Sequence, residues 1–353
     1  MTPTLLQVGT NAWGGGSERI MQCLGDAAAD RGWRSVVVSW RGTPPPGVRA
    51  EYLSLPSPWR RWTVGVGRLV RRLRPDIVHL HGPAAGSLGA MATRAVASPR
   101  IVYTDHDMGE RRQTRYVMAR RVTAWIPDVN IGVSPPVTRT MSRLAPASPA
   151  LCILPGVEPA PALAPPGPGP PHLVAVARLG PLKDHPTLLR ALARISHPVR
   201  VTIVGTGPRR EELETLADAL DLRDRVRFTG FLHEPWNVAE GAWAAVLPTR
   251  TEGAGLALME AMMRGLPVIS MRVGGVAAVV DHGVTGLLAE PGDPGALADA
   301  ITSLLDRPTR DRMGTAARAV AQRRFHVRRM VEEHLALYER LLAGRRIPGS
   351  GRE

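Results

Sequence analysis

One lysine stands in this chain. Of its 45 basic residues 44 are arginines, so an arginine at any single place says little, whereas Lys183 occupies a position that arginine did not take. Arg178 precedes it by five residues, just after the apolar run His172–Ala177. An arginine forks onto two oxygens and a lysine is a compact point charge, so together they suit a diphosphate. Two solvated surface charges are the alternative. A second group lies in residues 247–265, LPTRTEGAGLALMEAMMRG. Glu252 precedes Gly253-Ala254-Gly255, where absent side chains let the backbone approach a ligand. A helix that starts in this stretch, with Glu260 about two turns along it, aims its unpaired amides and positive end at an anion such as a pyrophosphate. Glu260 follows Glu252 by eight residues, about two helical turns, so the pair can address separate parts of one elongated ligand. Carboxylates repel anions, and their useful partners here are hydroxyls, as of a sugar or ribose. For Glu252 an ordinary first-turn acid is the alternative.

Three further signals are less specific. Gly14-Gly15-Gly16-Ser17-Glu18 opens a helix after the first apolar run and resembles a phosphate-approach turn, without the G-x-G-x-x-G spacing. His79 and His81 in DIVHLHG, and His106 between Asp105 and Asp107, stand where strands should end. Histidine can bond a substrate hydroxyl or share a proton near neutral pH; for His79 a packed or backbone-bonded ring is the alternative. Trp59–Arg74 places Trp62, Val66, Leu69, Val70 and Leu73 on one helical face with arginines around it. Such a helix lies on an anionic bilayer or packs its apolar side on a sheet. No Cys, His and Asp spacing forms a metal cage, and Cys23 and Cys152 give no disulfide framework.

The elements that must hold these residues read as two α/β series. Thr4–Gly9, Ser35–Ser39, Asp76–Leu80, Arg100–Tyr103 and Asn130–Val133 are short apolar runs separated by helical patterns. That alternation predicts βαβ units and a parallel sheet. Residues 41–58 read as loop. Residues 155–171, dense in proline and glycine, read as a stiff linker. Strands at His172–Ala177, Arg200–Val204, Arg225–Thr229, Ala244–Pro248 and Pro267–Ser270 follow, with helices at Pro186–Ile195 and Arg209–Leu220. Met330, Val331, Leu335, Tyr338, Leu341 and Leu342 trace a final amphipathic helix. The expected domains are residues 1–155 and 172–326, with 156–171 between them and 327–353 as helix and tail. Two doubly wound domains bind ligands beyond the carboxyl ends of their strands.

With 353 residues, 44% hydrophobic, the chain has material for two cores, and wholesale disorder is excluded. The net charge of +14 is uneven: residues 1–155 carry 20 arginines against 9 acids. A basic half suits nucleic acid, anionic lipid or a phosphorylated substrate. Met1–Thr4 has no basic region before its apolar run, so no signal peptide is expected. No apolar run reaches a membrane span, so any membrane contact is peripheral.

Together these residues resemble family 4 of the retaining glycosyltransferases, the group 1 type with the GT-B fold. Gly15-Gly16-Ser17-Glu18 is similar to its G-G-x-E, DIVHLHG to its D-x-V-H-x-H strand, and VARLGPLKDHPTLLRAL to its R-x-x-x-x-K segment. TEGAGLALMEAMMRGLPVI is similar to its E-x₇-E segment, and GGVAAVVDHGVTGLLAEPGD to the loop after it. The resemblance implies an α/β fold of two Rossmann-like domains facing a central cleft, with a C-terminal helix that crosses back to the first domain. It implies transfer of a sugar from a nucleotide-diphosphate-sugar donor with retained configuration and no metal or cofactor. Arg178 and Lys183 would hold the diphosphate and Glu260 the ribose. Glu252 with Gly253, Ala254, Gly255 and Leu256 would hold the sugar. Gly15 and Gly16 would approach the phosphates, and His106 would contact the sugar near the reacting carbon. Ala278 and the Leu154-Pro155 before Gly156 depart from the family pattern.

The expected partners are therefore a nucleotide-sugar donor and a glycan, lipid-linked or small-molecule acceptor. Nucleic acid is not expected. The expected place is the cytoplasm, with peripheral contact to the inner, anionic face of the membrane. A nucleotide-sugar epimerase of similar fold and an inactive sugar-nucleotide-binding protein are the competing readings.

Overall fold

The computed structural model describes residues 2–9, 15–39, 47–55, 59–106 and 114–347. The chain divides into two compact units, Met1–Gly156 with Val327–Glu353, and Val157–His326.

The first unit begins β1 (Thr4–Val8), α1 (Gly16–Asp30), β2 (Arg34–Ser39), β3 (Glu51–Ser54), α2 (Trp59–Leu73) and β4 (Ile77–His81). It continues α3 (Ala90–Arg94), β5 (Arg100–Asp105), α4 (Thr114–Thr123), β6 (Val129–Gly132), α5 (Pro135–Leu144) and β7 (Ala150–Cys152). The strands form one parallel sheet in the order β3-β2-β1-β4-β5-β6-β7. Runs such as LLQV and IVHLH read as continuous rather than alternating because helices cover both faces of such a sheet. Leu5, Leu6, Val8, Ile77, Val78 and Leu80 are accordingly fully buried. The strand order reverses between β1 and β4, the point where loops leaving the carboxyl ends diverge and ligands bind. β3 falls inside the stretch that reads as loop in sequence. Its short EYLS run is only half-buried, so it lacks the apolar signature of a central strand.

Helix α2 forms where its amphipathic pattern predicts. Trp62, Val66 and Val70 are buried in the unit, while Arg60, Arg61, Arg68, Arg71 and Arg72 are exposed. Packing inside the unit, against α3 and the turn before it, thus takes the apolar face. The basic face is left to solvent.

The second unit runs β8 (His172–Val176), α6 (His185–Arg194), β9 (Arg200–Val204), α7 (Arg210–Ala219), β10 (Val226–Gly230) and β11 (Ala244–Leu247). Then come α8 (Leu256–Met263), β12 (Val268–Met271), β13 (Gly286–Ala289), α9 (Pro294–Ser303) and α10 (Arg307–Arg324). Its parallel sheet has the order β10-β9-β8-β11-β12-β13 and reverses between β8 and β11. Leu188, Leu192, Ile203, Val246, Ile269, Leu297 and Ile301 close its core. Aspartates start the last two helices: Asp293 accepts from the amides of Gly295 and Ala296, and Asp306 from that of Thr309. The proline-rich stretch lies on this unit. The amide of Leu163 donates to the Arg264 carbonyl at 3.0 Å, and Arg318 donates to the carbonyl of Ala160 at 3.1 Å.

The last helix, α11 (Val327–Leu342), returns to the first unit, as the family resemblance implies. Met330, Leu335, Tyr338 and Leu341 are its buried face. Arg329 donates to the carbonyl of Leu154 at 2.7 Å, and Arg31 on α1 pairs with Glu339 at 3.1 Å. Among the described residues no helix is long and apolar enough to cross a membrane.

Candidate active site

In the second unit the site grows from the two loops that flank the strand-order reversal. The loop after β8 is fixed against the loop after β9: Ala177 and Leu179 donate their amides to the carbonyls of Val204 and Thr206. A Cβ at Gly207 would stand 2.3 Å from the Leu179 carbonyl oxygen, so only glycine allows this approach. Leu179 is buried as the anchor, and Arg178 beside it is exposed at the strand end. A short 3₁₀ turn, Pro181–Lys183, follows.

Asp184, in the left-handed region at φ 46°, closes that turn and begins α6. Its buried carboxylate accepts from Thr187 Oγ1 at 2.8 Å and takes a two-pronged ion pair from Arg250, Nε at 2.9 Å and Nη2 at 3.2 Å. The Arg250 amide and the Thr249 hydroxyl both donate to the carbonyl of Leu182, at 2.8 and 3.1 Å. These bonds stitch the loop after β8 to the loop after β11. The stitching places Lys183 in a direct ion pair with Glu252. The cation expected for the diphosphate and the carboxylate expected for the sugar thus hold each other.

The loop after β11 ends at Gly255, φ 85°, which starts α8. Gly253, Ala254 and Gly255 are buried, and among the described residues the amides of Gly253, Ala254, Gly255, Leu256 and Ala257 donate to nothing. This is the helix-start cradle that the sequence predicts. Glu260 corrects the expected spacing: α8 begins only at Leu256, so Glu260 lies about one turn along it rather than two. Its Oε2 accepts from Trp236 Nε1 at 2.8 Å, and the Arg264 guanidinium lies 5.4 Å from the Trp236 ring centre. Sequence reasoning missed Trp236, Asp184 and Arg250. None sits in a recognisable spacing, and an arginine in this composition carries no signal.

In the first unit Gly15 and Gly16 open α1 as expected, while Gly14 lies outside the described residues. A Cβ on Gly15 would fall 2.3 Å from Glu18 Oε2. Glu18 is buried, takes a hydrogen bond from Ser17 Oγ at 2.9 Å, and leaves Oε2 without a partner among the described residues. His81 ends β4 and His106 follows β5, whereas His79 is the middle residue of β4 rather than a strand end; Asp107 lies outside the described residues. His79 bonds Tyr338 Oη at 2.5 Å and Thr104 Oγ1 at 2.7 Å, so it is the packed ring. His81 Nδ1 lies 3.0 Å from His106 Nε2. Burial, with nearby imidazoles, holds His79 and His81 well below the ordinary histidine value, so both are neutral at pH 7. Of the two positions that depart from the family pattern, Ala278 lies in a 3₁₀ turn and its carbonyl accepts from Arg324 at 2.8 Å. The Gly156 amide faces Met330 Sδ at 3.2 Å.

Comparison with known proteins gives the family and the fold. The family model described as Glycosyl transferases group 1 matches residues 164–320, and that described as Glycosyltransferase Family 4 matches residues 14–160. The lipopolysaccharide core biosynthesis glycosyltransferase LpsD of Rhizobium meliloti is 33% identical over 174 residues, 49% of this chain and 50% of that one. The chain spans about half or less of the length of the curated relatives it matches. Sucrose-phosphate synthase from Thermosynechococcus elongatus superposes with TM-score 0.86 at 23% identity, covering 98% of this chain and 100% of that one. Anabaena HepE in complex with UDP and glucose superposes with TM-score 0.86 at 20% identity, covering 96% and 99%. These likenesses give the fold as GT-B. With the second sheet, every strand of the first but β1, the Arg178–Lys183 loop and the Glu252–Glu260 segment inside the matched residues, the chain belongs to glycosyltransferase family 4, the group 1 glycosyl transferases.

Proposed function

We propose that this protein transfers a glycosyl group from a nucleoside-diphosphate sugar to a glycan, lipid-linked or small-molecule acceptor, with retention of configuration and without a metal. The observation that carries the proposal is local to the second unit: Lys183 is brought onto Glu252 beside five amides at the start of α8 that have no acceptor among the described residues. A diphosphate supplies the anion this group lacks. It draws the Lys183 ammonium from Glu252, takes the Arg178 fork, and fills the amide cradle. Glu252 is then released toward the sugar hydroxyls, and Glu260, held by Trp236, addresses the ribose. HepE was solved with UDP and glucose, which supports a nucleotide-sugar donor, and LpsD acts in lipopolysaccharide core synthesis, which supports a glycan or lipid-linked acceptor.

In the proposed reaction the bond from the anomeric carbon to the phosphate oxygen breaks and a bond to the acceptor oxygen forms on the same face. The acceptor proton passes to the leaving diphosphate. No pair of carboxylates of the hydrolase kind is required. Lys183, Arg178 and the amides stabilise the charge that develops on the leaving group, and such preorganised stabilisation is the main source of rate enhancement in a step of this kind. His106 is assigned to the transferred sugar, and Gly15 and Gly16 to the phosphates.

The basic face of α2 supports a peripheral attachment to anionic membrane. Arg60, Arg61, Arg68 and Arg72 line one groove with Leu55, Val64 and Leu69 between them. That pattern combines charge for lipid phosphates with apolar side chains for the acyl boundary. Cytoplasmic residence on the inner leaflet follows from this reading.

The test is incubation with UDP-, GDP- and ADP-sugars labelled in the sugar, with a panel of glycan, lipid-linked and small acceptors, with and without EDTA. The expected result is labelled product of retained anomeric configuration, unchanged by EDTA. Epimerised nucleotide sugar with no transfer would replace the proposal with an epimerase. Donor binding without turnover across the panel would replace it with a binding protein.

A further inference from the structure

Helix α4 reverses the usual polarity: it buries an arginine and exposes apolar side chains. Arg120 is buried, donating to the Gly86 carbonyl at 2.9 Å and to Asn130 Oδ1 at 3.3 Å, with its guanidinium 4.1 Å from the Tyr103 ring centre. Those contacts fix the rotation of the helix about its axis. Met118 and Val122 stand two residues to either side of Arg120, hence on the other side of the helix, and are exposed. Trp125, just past the helix end, extends their line, its Nε1–H bonded to the Val122 carbonyl at 2.9 Å. All three are more than half exposed, Trp125 the most so at 69%.

The stripe lies in one layer with α2. Helix α2 packs against α3 and against the turn Ala85–Gly89, and α4 packs against the same turn. Val64 on α2 and Met91 on α3 are also more than half exposed, so the exposed apolar side chains continue across the layer. In sequence α2, α3 and α4 carry nine arginines and no acidic residue. By contrast α1 and α11, which pack on each other, mix acids with their arginines: Glu18, Asp26 and Asp30 on one, Glu332, Glu333 and Glu339 on the other.

These two properties select the occupant. A contiguous exposed apolar patch marks a docking surface, and a layer without carboxylates calls for an anionic partner. A second copy of this chain, related by a two-fold axis, would set the arginines against themselves. A nucleic-acid backbone would leave Met118 and Val122 in water. An anionic bilayer supplies lipid phosphates for the guanidinium groups and an acyl boundary for the apolar side chains, with the indole at the headgroup level where such rings settle. We propose that α4 is the apolar anchor of a membrane-docking face, inserting Met118, Val122 and Trp125 beside the arginines of α2. The proposal rests on the membrane reading of α2 and adds an anchor that charge alone does not supply. Arg120 sets which side of α4 meets the lipid.

The test mixes the full chain with vesicles of equal parts phosphatidylcholine and phosphatidylglycerol, carrying brominated acyl chains that quench indole emission. Bromine should quench part of the parent emission, and Trp125→Phe should lose most of that quenched part. Val122→Ser with Trp125→Ser should weaken pelleting at low salt about tenfold or more. Its salt dependence should be kept, because the arginines remain, and its Tm should stay near that of the parent, because both side chains are exposed. Parent-like pelleting of this double variant, with Trp125 unquenched, overturns the anchor and leaves the α2 contact standing. No pelleting of the parent overturns both. A parent dimer in sedimentation velocity that the same double variant disperses, with no bromine quenching, gives the stripe to a second copy and overturns the proposal. None of these readouts needs turnover, so they stand apart from failure of the transferase reading.

Discussion

Lys183 and Glu252 form an ion pair across the two loops that flank the strand-order reversal of the second unit, with side-chain exposures of 27% and 16%. The pair is partly withdrawn from water, so breaking one partner leaves a charge that water only partly screens. In the proposed reaction the same lysine exchanges Glu252 for a phosphate. Lys183→Ala should therefore lower kcat by about 10²–10³, as loss of one preorganised charge-stabilising group does. Lys183→Arg should impair turnover as well, because a planar fork does not replace a point charge. Steady-state kinetics with the identified donor would check both, and full activity in Lys183→Ala would count against the site.

The stitch between the loops gives a second expectation. Asp184 is buried and Arg250 is half exposed, with side-chain values of 3% and 50%. Removing the buried partner orphans Thr187 Oγ1 and the Arg250 guanidinium together. Asp184→Ala should cost about 1–3 kcal/mol of stability and lower kcat by displacing the Lys183 turn. Arg250→Ala should cost less on its exposed side. Urea unfolding of both variants beside the parent measures the difference, and an equal loss would contradict the account.

Glu260 and Trp236 separate binding from chemistry. Trp236→Phe keeps the ring and removes the Nε1–H that orients the Glu260 carboxylate. The nucleoside-diphosphate Kd should rise several-fold while kcat at saturating donor stays near that of the parent, since the ribose lies away from the reacting carbon. Calorimetric titration with UDP, GDP and ADP checks this. A fall in kcat with unchanged Kd would oppose the ribose assignment.

Buried histidines predict acid sensitivity in each unit. Burial lowers His334 in the first unit and His185 in the second to about 4. Unfolded, both return to about 6.5 and bind a proton that the folded state does not hold. Stability therefore rises with pH: it is complete above about 6.5 and is lost as pH falls toward 4, by up to about 3 kcal/mol for each group. His334→Leu should flatten the pH dependence of the urea midpoint between 7.5 and 5. An unchanged slope would contradict the placement of that ring.

Much of this arrangement is legible in the sequence. Periodicity reveals βαβ units because apolar runs and helical patterns alternate at fixed lengths, and β1, β4, β8 and β11 fall on the runs that predict them. The lone lysine and the glycine-flanked acids reveal the centre of the second unit because their types are unusual at those places. Other features are not legible. β3 carries no apolar run, and the α2 pattern does not tell packing inside the unit from lipid contact until Trp62, Val66 and Val70 are seen buried. The link from Asp184 to Arg250 spans 66 residues and depends on how the loops fold, not on any spacing. The bond between Tyr338 and His79 is likewise tertiary, since the two are 259 residues apart.

The basic face of α2 makes a separate expectation. The protein should pellet with vesicles containing anionic phospholipid at low salt and not with neutral vesicles, and it should be released as salt screens the attraction. Arg60→Glu with Arg68→Glu should abolish pelleting without lowering turnover of a soluble acceptor. Equal pelleting of parent and variant would remove the membrane reading.

Nucleotide binding by the second unit tests the main claim most directly. Thermal unfolding of the intact protein should be measured with UDP, GDP and ADP and with the corresponding monophosphates, for the parent and for Arg178→Ala with Lys183→Ala. One diphosphate should raise the parent Tm in a concentration-dependent way, as mass action requires, more than its monophosphate does, and the doubly substituted protein should lose the shift. No shift with any diphosphate, or a shift that survives both substitutions, would contradict a phosphate site built on those two cations.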